Sequence, residues 1–316
     1  MLAPDQGVCT GVTVVDLPGD VIAEPLPAAV HVINGYGKSV GLMQIDELGE
    51  LESPIVLTGV FGVAPVLSAL VSHLLDTHPH LGDEATGRSV NATVLECNDS
   101  YLHDPRARLP GPRELLDAFD SACSGPVTQG TVGAGAGMST FGLAGGIGTA
   151  SRVVNGSQSG HVGALVMTNF GEPQDLMIAG RPVGRLLGAT SIPPAGRGSV
   201  IVILATELPL SSLQLRRLCR RAQNGLARTG CVTAGGSGEV VLAFTTSRSN
   251  AGGSAHLLDQ TFRAVAECVE EAVLNSCWHA EPSYGRAGRS RDTLPVLRLS
   301  EFFGNSRDGG GAEARQ

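Results

Sequence analysis

Residues 197–206 read RGSVIVILAT, in which a glycine and a serine open an almost wholly apolar run. Ser199–Thr206 therefore predicts a strand that is buried on both of its faces. Residues 239–245 have the same character, and amphipathic helical patterns occupy residues 213–228 and 256–278. Buried strands next to amphipathic helices predict a layered α/β sandwich.

The rest of the chain carries further strand and helix patterns, separated by glycine, proline and asparagine. Short runs rich in Val, Ile and Leu predict strands at residues 10–16, 29–33, 39–45, 54–60, 90–95 and 160–170. Helical spacing predicts helices at residues 64–77 and 112–123. Residues 125–152 contain so many glycines that tight turns or close backbone contacts are predicted there in place of regular structure. We expect an exposed loop at residues 180–198 and a disordered tail from residue 304.

The composition is that of a globular protein. Among the 316 residues, 42% are hydrophobic and 16% are charged, which is not typical of a disordered chain. The net charge of −8 argues against nucleic acid or an anionic lipid surface as the main partner. The seven cysteines are widely spaced with no CxxC pair, so neither a zinc site nor a disulfide framework is predicted. Because no signal-peptide pattern and no run of about 18 apolar residues is visible, we expect a cytoplasmic protein with reduced thiols and no membrane segment.

The common nucleotide-binding and hydrolase motifs are missing from the sequence. No GxGxxG, HExxH or GxSxG pattern occurs, and the eight histidines show no metal-ligand spacing. Gly37-Lys38-Ser39 resembles the end of a P-loop, but Val32 stands where its leading glycine must be. Lys38 is the only lysine, which removes most candidates for Schiff-base or Ser-Lys chemistry. No metal or organic cofactor is therefore predicted.

The join between the expected loop and the buried strand, at Gly198 and Ser199, indicates a different chemistry. On local pattern alone these residues also fit a turn glycine and the first residue of a strand. If the peptide bond between them breaks, Ser199 becomes an N-terminal residue whose α-amine lies beside its own hydroxyl. An α-amine has a pKa of about 7.7–8.0, so it can act as a general base at neutral pH. One residue would then supply both nucleophile and base, without a histidine.

Six stretches in a fixed order carry a resemblance to a known family. They are TVGAGAGM (131–138), FGLAGGIGTASR (141–152), TNFG (168–171), RGSVIVILAT (197–206), GGSGEVVLAFTT (235–246) and EAVLN (271–275). With these stretches the sequence resembles the self-processing aminopeptidases of the DmpA/BapA family, peptidase family S58. The resemblance covers roughly residues 7–300.

The resemblance implies a four-layer αββα sandwich, like that of N-terminal nucleophile hydrolases but with different connectivity. It implies a single self-processing domain over residues 1–303, cut between Gly198 and Ser199 into chains 1–198 and 199–316 that stay together. The implied activity is the release of N-terminal residues from short peptides, amides or esters through an acyl-enzyme on Ser199. A tetramer of processed heterodimers is also implied, with the site facing an inner channel that admits only small substrates.

The roles known in the family can be carried to the matching positions of this chain. Ser199 matches the nucleophile, and Ser237 and Glu239 match residues that hydrogen-bond around it and its free amine. Asn169 matches the amide that stabilises the oxyanion. Glu96 matches an acid that receives the free amino group of the substrate. On local pattern alone, Ser237 and Glu239 also fit a polar turn. Asn169 also fits a strand-end cap, and Glu96 a solvated strand end.

The chain departs from the family pattern at several positions. Asn98 stands where many members have a tyrosine that stabilises the transition state, so the amide of Asn98 or the nearby Tyr101 is the candidate replacement at the substrate site. Ala144 stands where many members of the family have a lysine, and Cys9 stands where they have a basic residue. The chain also begins a few dozen residues into the usual N-terminal pattern of the family.

Two other functions remain open from the sequence. The ornithine acetyltransferases share the architecture and process themselves, but their nucleophile is threonine, so Ser199 and the GGIGTASR stretch favour an aminopeptidase over an acyltransferase. A protein that stays uncut and only binds or assembles is the alternative from another class, and Asn98 and the short N-terminus motivate it. An intact bond between Gly198 and Ser199 in the purified protein would favour that alternative.

Overall fold

The computed structural model describes residues 7–85, 87–155, 159–189, 198–249 and 252–303. Within them, two β-sheets pack face to face, and helices cover the outer face of each sheet. This is the four-layer αββα arrangement that the sequence resemblance implies. The tail from residue 304, and residues 190–197 of the predicted exposed loop, lie outside the described residues.

The elements are numbered along the chain. The strands are β1 (Val12–Val15), β2 (Leu26–Gly35), β3 (Glu50–Leu51), β4 (Ile55–Gly59), β5 (Thr93–Cys97), β6 (Ser139–Thr140), β7 (Leu143–Ala144), β8 (Ile147–Val154), β9 (Gly160–Asn169), β10 (Ser199–Thr206), β11 (Gly238–Thr245), β12 (Ser283–Tyr284) and β13 (Ser290–Arg291). The helices are α1 (Leu42–Leu48), α2 (Val63–Thr77), α3 (Pro112–Asp120), α4 (Val183–Leu186), α5 (Ser212–Arg228), α6 (Ala255–Trp278) and α7 (Val296–Phe303).

The larger sheet has six strands in the order β3-β2-β11-β10-β9-β8, and the smaller has three in the order β1-β4-β5. In the larger sheet the central strands β10 and β11 are parallel, and the other neighbouring pairs are antiparallel. In the smaller sheet β4 and β5 are parallel, and β1 is antiparallel to β4. The carboxyl end of β5, in the smaller sheet, and the amino end of β10, in the larger sheet, lie close together. One site between the sheets can therefore use residues from both strand ends.

The apolar cores explain why β10 is hydrophobic on both faces. Ile201 and Ile203 of β10 pack between the sheets, with Leu95 of β5. Val200 and Val202 point the other way, into the core beneath α5 and α6. Helices α2 and α3 cover the outer face of the smaller sheet. Because side chains alternate along a strand, Ser199 shares the face of Ile201 and points toward the smaller sheet.

The prediction of a strand at residues 39–45 is wrong. Leu42–Leu48 forms the short helix α1, and Ile45 is its only buried residue. The helix is bounded by Gly41 and Gly49, whose φ angles of 93° and 72° lie in the left-handed region that glycine adopts without strain. These turns break the extended backbone that a strand needs.

The glycine-rich stretch at residues 125–152 is only partly as predicted. Close backbone contact is confirmed at Gly148, where an added Cβ would lie 1.9 Å from the carbonyl oxygen of Ala272 in α6. The expectation that regular structure is missing there is wrong, because β8 begins at Ile147. The lack of a side chain at Gly148 lets α6 lie directly on this strand, so tertiary packing outweighs the low strand propensity of glycine.

The part of the predicted loop at residues 180–189 is not wholly exposed. It contains the one-turn helix α4, in which Val183 and Gly184 are buried. Gly184 tolerates no side chain, since an added Cβ would lie 2.0 Å from the carbonyl oxygen of Pro173. This segment therefore packs onto the domain before the chain reaches residue 190.

One helical stretch, Val60–Thr77, is long and apolar enough to meet the length and composition criteria for a membrane span. No membrane segment is predicted from the sequence, so this helix departs from that expectation by length and composition only. Its buried residues Val66, Leu70 and Leu74 pack in the core of the smaller sheet. Core helices of globular domains meet the same criteria, and this helix forms part of the fourth layer.

Candidate active site

Ser199 is the first residue of β10, and its side chain is buried between the two sheets. Its Cα is paired with Asn169, the last residue of β9, and with Gly238, the first residue of β11. The carbonyl of Gly198 accepts a hydrogen bond of 3.1 Å from the N–H of Gly238. The bond between Gly198 and Ser199 is therefore held at the end of the central strands.

The backbone N–H of Asn98 donates a hydrogen bond of 3.1 Å to the Ser199 hydroxyl oxygen. Asn98 directly follows β5, which brings the end of this strand against the start of β10. The expectation that the Asn98 side-chain amide replaces the missing tyrosine is not supported here. Its Oδ1 accepts from the N–H and the hydroxyl of Ser100, at 3.1 Å and 2.5 Å. The main chain, which any residue provides, makes the contact to Ser199.

Asn169 lies beside Ser199 and is held at both ends of its side-chain amide. Its Nδ2 donates to the carbonyl of Asn98 at 2.9 Å, and its Oδ1 accepts from the N–H of Ser139 at 2.9 Å. A donor at one end and an acceptor at the other fix which way round the amide lies. One of the two Nδ2 hydrogens remains for a further acceptor, so Asn169 and the Asn98 N–H can serve as a pair of donors near Ser199.

Glu96 is a buried carboxylate in β5, two residues before Asn98. Its Oε1 accepts from the backbone N–H of Lys38 at 2.8 Å, and its own N–H donates to the hydroxyl of Ser39 at 3.2 Å. Burial raises the pKa of Glu96, while the N–H and the positive charge of Lys38 lower it in part. A buried carboxylate with few donors around it is suited to bind an ammonium group.

Cys97 lies between Glu96 and Asn98 and is fully buried. Burial, and to a smaller extent the charge of Glu96, raises the pKa of the Cys97 thiol above its usual value. Its Sγ donates to the carbonyl of Met167 at 3.4 Å. Because the thiolate is the nucleophilic form, burial disfavours the reactive form of Cys97.

Ser237 and Glu239 flank the start of β11, and the described structure shows no hydrogen bond from either side chain to Ser199. The hydroxyl of Ser237 is buried and has no hydrogen-bond partner within the described residues. The carboxylate of Glu239 lies on the helix side of the sheet, where it accepts from the hydroxyl of Thr233 at 2.9 Å and from the thiol of Cys231 at 3.7 Å. Both residues lie next to Gly238, the β11 partner of Ser199.

The ring of Tyr101, the other candidate at the substrate site, packs against two arginines. The guanidinium of Arg291 lies 3.8 Å from the centre of this ring, and that of Arg289 lies 5.1 Å from it. Residues 99–103 form a turn after the strand end, since the carbonyl of Asp99 accepts the N–H groups of Leu102 and His103. Tyr101 therefore packs against Arg291, and its role as the replacement for the missing tyrosine stays a prediction.

Four further residues lie near the site, and the sequence did not predict that they belong to it. They are Lys38, Ser39, Ser139 and Arg291. Lys38 and Ser39 were weighed only as the end of a P-loop, although the single lysine of the chain was a signal worth following. Ser139 and Arg291 carry no local signal, because only the tertiary fold places them next to Asn169. Within the residues that the structure describes, no group of three or more His, Cys, Asp or Glu side chains is arranged to hold a metal ion.

The comparisons with known proteins place the chain in a family. The family model of Peptidase family S58 matches residues 1–291. The beta-peptidyl aminopeptidase BapA of Sphingosinicella microcystinivorans is 34% identical over 319 residues, which cover 92% of this chain and 79% of that protein. The same comparison finds BapA of Sphingosinicella xenopeptidilytica at 33% identity, over 93% of this chain and 79% of that protein.

Solved structures with the same fold include two aminopeptidases. A beta-aminopeptidase from a Burkholderia species has a TM-score of 0.84 at 35% identity, over 95% of this chain and 88% of that chain. The L-aminopeptidase D-Ala-esterase/amidase of Ochrobactrum anthropi, described as a variant of the Ntn hydrolase fold, has a TM-score of 0.81 at 32% identity, over 93% of this chain and 91% of that chain. The family match, these relatives and the shared fold lead to one assignment: the chain belongs to peptidase family S58 and is a serine-type aminopeptidase of the N-terminal nucleophile kind.

Proposed function

We propose that the chain cuts itself between Gly198 and Ser199 and then uses Ser199 to release N-terminal residues from short peptides, amides or esters. The observation that carries the proposal is the position of Ser199. Its buried hydroxyl accepts the N–H of Asn98 at 3.1 Å, beside the side chain of Asn169 and two residues along β5 from the carboxylate of Glu96. Nucleophile, oxyanion donors and an amine receptor thus meet at one strand end.

Self-cleavage begins with attack of the Ser199 hydroxyl oxygen on the carbonyl carbon of Gly198. The peptide C–N bond breaks as the ester C–O bond forms, and the proton of the hydroxyl ends on the released amine of Ser199. Water then hydrolyses the ester and leaves a carboxylate on Gly198. The absence of a side chain on Gly198 leaves this carbonyl open to attack.

The mature site needs no histidine. The free α-amine of Ser199 takes the proton from its own hydroxyl as the hydroxyl attacks the substrate carbonyl. The buried hydroxyl of Ser237, which has no partner among the described residues of the uncut chain, gains one in the new amine. Glu239 adds a negative charge near the start of β11, which favours the protonated amine formed during attack. Water then releases the acyl group from Ser199.

Glu96 gives the proposed site its preference for a free N-terminus. Its buried carboxylate accepts the N–H of Lys38 and has a second oxygen for the ammonium of the substrate. The scissile carbonyl then lies toward Ser199, with its oxygen toward the N–H of Asn98 and the Nδ2 of Asn169. A tetramer of processed heterodimers, with the site facing an inner channel, would limit the substrates to small ones.

The mass of the purified protein under denaturing conditions tests the self-cleavage. We expect two chains, one ending at Gly198 and one beginning at Ser199, whose masses add up to that of the precursor plus one water. A single species with the full mass of 32.4 kDa would contradict the proposal and favour the uncut binding protein.

The single lysine provides an independent count of amines. Amine-directed labelling should modify the N-terminus and Lys38 in an uncut chain, and additionally the α-amine of Ser199 after cleavage. Lys38→Arg is the matched variant, since it removes one labelled amine and keeps the charge. Labelling of Ser199 in that variant would identify the new N-terminus directly.

The acid side of the pH dependence of peptide cleavage should contain the titration of Glu96 in addition to that of the Ser199 α-amine, which must be deprotonated to act as the base. Burial raises the pKa of this carboxyl, and only the ionised form binds an ammonium group. We expect kcat/KM for a peptide with a free amine to decrease as the pH falls through a pKa above the ordinary value of about 4.3. A pH–rate profile of kcat/KM measures this directly.

Glu96→Gln is the isosteric control for that profile. It removes the charge, and truncating one partner of a buried charge pair costs about 2–5 kcal/mol, so kcat/KM should fall about 30-fold or more. The same variant should lose the acid limb that Glu96 causes. An unchanged profile in Glu96→Gln would show that another group receives the amine.

A further inference from the structure

Arg291 is a buried arginine that has no carboxylate partner among the described residues. Its side chain lies in the two-residue strand β13 and is 6% exposed. Within the described part of the chain, no Asp or Glu oxygen lies within 4.0 Å of its guanidinium. Its Nη1 donates to the carbonyl of Ser290 at 3.3 Å, and the ring of Tyr101 covers it at 3.8 Å. An unpaired buried charge is costly, so the position calls for a function.

The guanidinium is connected to Asn169 through one residue. The Nε of Arg291 donates to the hydroxyl oxygen of Ser139 at 3.1 Å. The backbone N–H of Ser139 donates to the Oδ1 of Asn169 at 2.9 Å. The Nδ2 of Asn169 in turn donates to the carbonyl of Asn98 at 2.9 Å, and the N–H of Asn98 binds the Ser199 hydroxyl.

Ser139 belongs to a small hairpin that only tertiary contacts hold in place. Its strand β6 pairs with β7 over two residues each. The N–H of Ala144, in β7, donates to the carbonyl of Asp292 at 2.8 Å, next to Arg291. A pair of two-residue strands is too short to be rigid by itself. The hairpin is held by Thr140 against Thr168 of β9 and by the contacts with residues 291 and 292. The contact of Arg291 is the one made to Ser139 itself.

We propose that Arg291 is a positioning residue that fixes the oxyanion amide of Asn169 through Ser139. Tyr101 covers the guanidinium and excludes water from this link. The inference rests on the proposed function for the role of Asn169, and it adds a residue far along the sequence to that site.

Kinetics of Arg291→Gln test the inference, with Arg289→Gln as the matched control. Arg289 carries the same charge and lies on the same ring, but it is exposed and its Nη1 binds the carbonyl of Tyr101, not Ser139. We expect Arg291→Gln to lower kcat about 100-fold with little change in KM, since small misplacements of a catalytic group cost this much. Equal losses in the two variants would overturn the proposal.

Two double variants decide whether Arg291 acts through Ser139 and Asn169. Ser139→Ala removes the hydroxyl but keeps the N–H, so it should lower kcat as Arg291→Gln does, and the two losses should not add. In an Asn169→Ala background, Arg291→Gln should cause no further loss, because coupled residues are not additive. A full additional loss in either background would overturn the proposal.

Crystal structures of the wild type, Arg291→Gln and Arg289→Gln give a readout that needs no turnover. The Asn169 amide should leave the carbonyl of Asn98 in Arg291→Gln only. An amide that stays in place would overturn the inference even if the enzyme is active. If the wild type neither cleaves itself nor turns over, the proposed function fails, while the position of this amide still decides the role of Arg291.

Discussion

Ser199→Ala should abolish both self-cleavage and peptide turnover. The substitution removes the oxygen that attacks the Gly198 carbonyl, so the chain should remain a single species of 32.4 kDa. Turnover should be lower by roughly a millionfold, the size of the effect of removing the nucleophile in other serine hydrolases. The measurements are intact mass and the release of a chromogenic amine from an aminoacyl anilide.

The folded state should tolerate Ser199→Ala. In the uncut chain, the Ser199 hydroxyl oxygen accepts the N–H of Asn98, and the methyl group of alanine fits the same space. Ser199→Cys is the matched variant, because it keeps both a nucleophile and, after cleavage, an α-amine. It should process slowly and retain part of the activity. Full turnover by an uncut Ser199→Ala protein would exclude Ser199 as the nucleophile.

Asn169→Ala should give the second largest loss, mainly in kcat. The Nδ2 of Asn169 lies beside Ser199 with one hydrogen available for the oxygen of the tetrahedral intermediate. Removing one oxyanion donor typically costs about 2.7–4 kcal/mol, or roughly 100- to 1000-fold in kcat. Because the negative charge develops only in the transition state, KM should change little.

Asn169→Asp provides the matched comparison for this donor. It keeps the shape of the side chain but replaces the donor with an oxygen, whose negative charge opposes that of the oxyanion. We therefore expect it to be at least as impaired as Asn169→Ala. A change confined to KM in both variants would show that Asn169 binds the ground state and not the transition state.

The substrate preference can be tested with one panel of anilides. Two relatives are named beta-peptidyl aminopeptidases, and the enzyme of Ochrobactrum anthropi is named an L-aminopeptidase. The N-terminal residues compared should therefore be an L-α-amino acid, its D-enantiomer and the corresponding β-amino acid. If the amine binds Glu96 as proposed, the distance from that carboxylate to Ser199 should select the length of the acyl backbone.

The sequence by itself determined the layers and predicts the nucleophile. The apolar runs of β10 and β11, buried on both faces, and the amphipathic patterns of α5 and α6 predict a sandwich from local periodicity. The motif around Gly198 and Ser199, with the family resemblance, predicts the chemistry. Both depend on residues that are close in the chain or match a motif, which is why one sequence is sufficient for them.

The tertiary structure alone decided how the site is assembled. It made the backbone of Asn98, not its side chain, the donor to Ser199, and it packed Tyr101 against Arg291. It also joined Arg291 to Asn169 through Ser139. These contacts link residues more than 25 positions apart, and main-chain donors leave no trace in residue type. Hydrogen bonds of this kind depend on the relative placement of whole strands, which local sequence patterns do not encode.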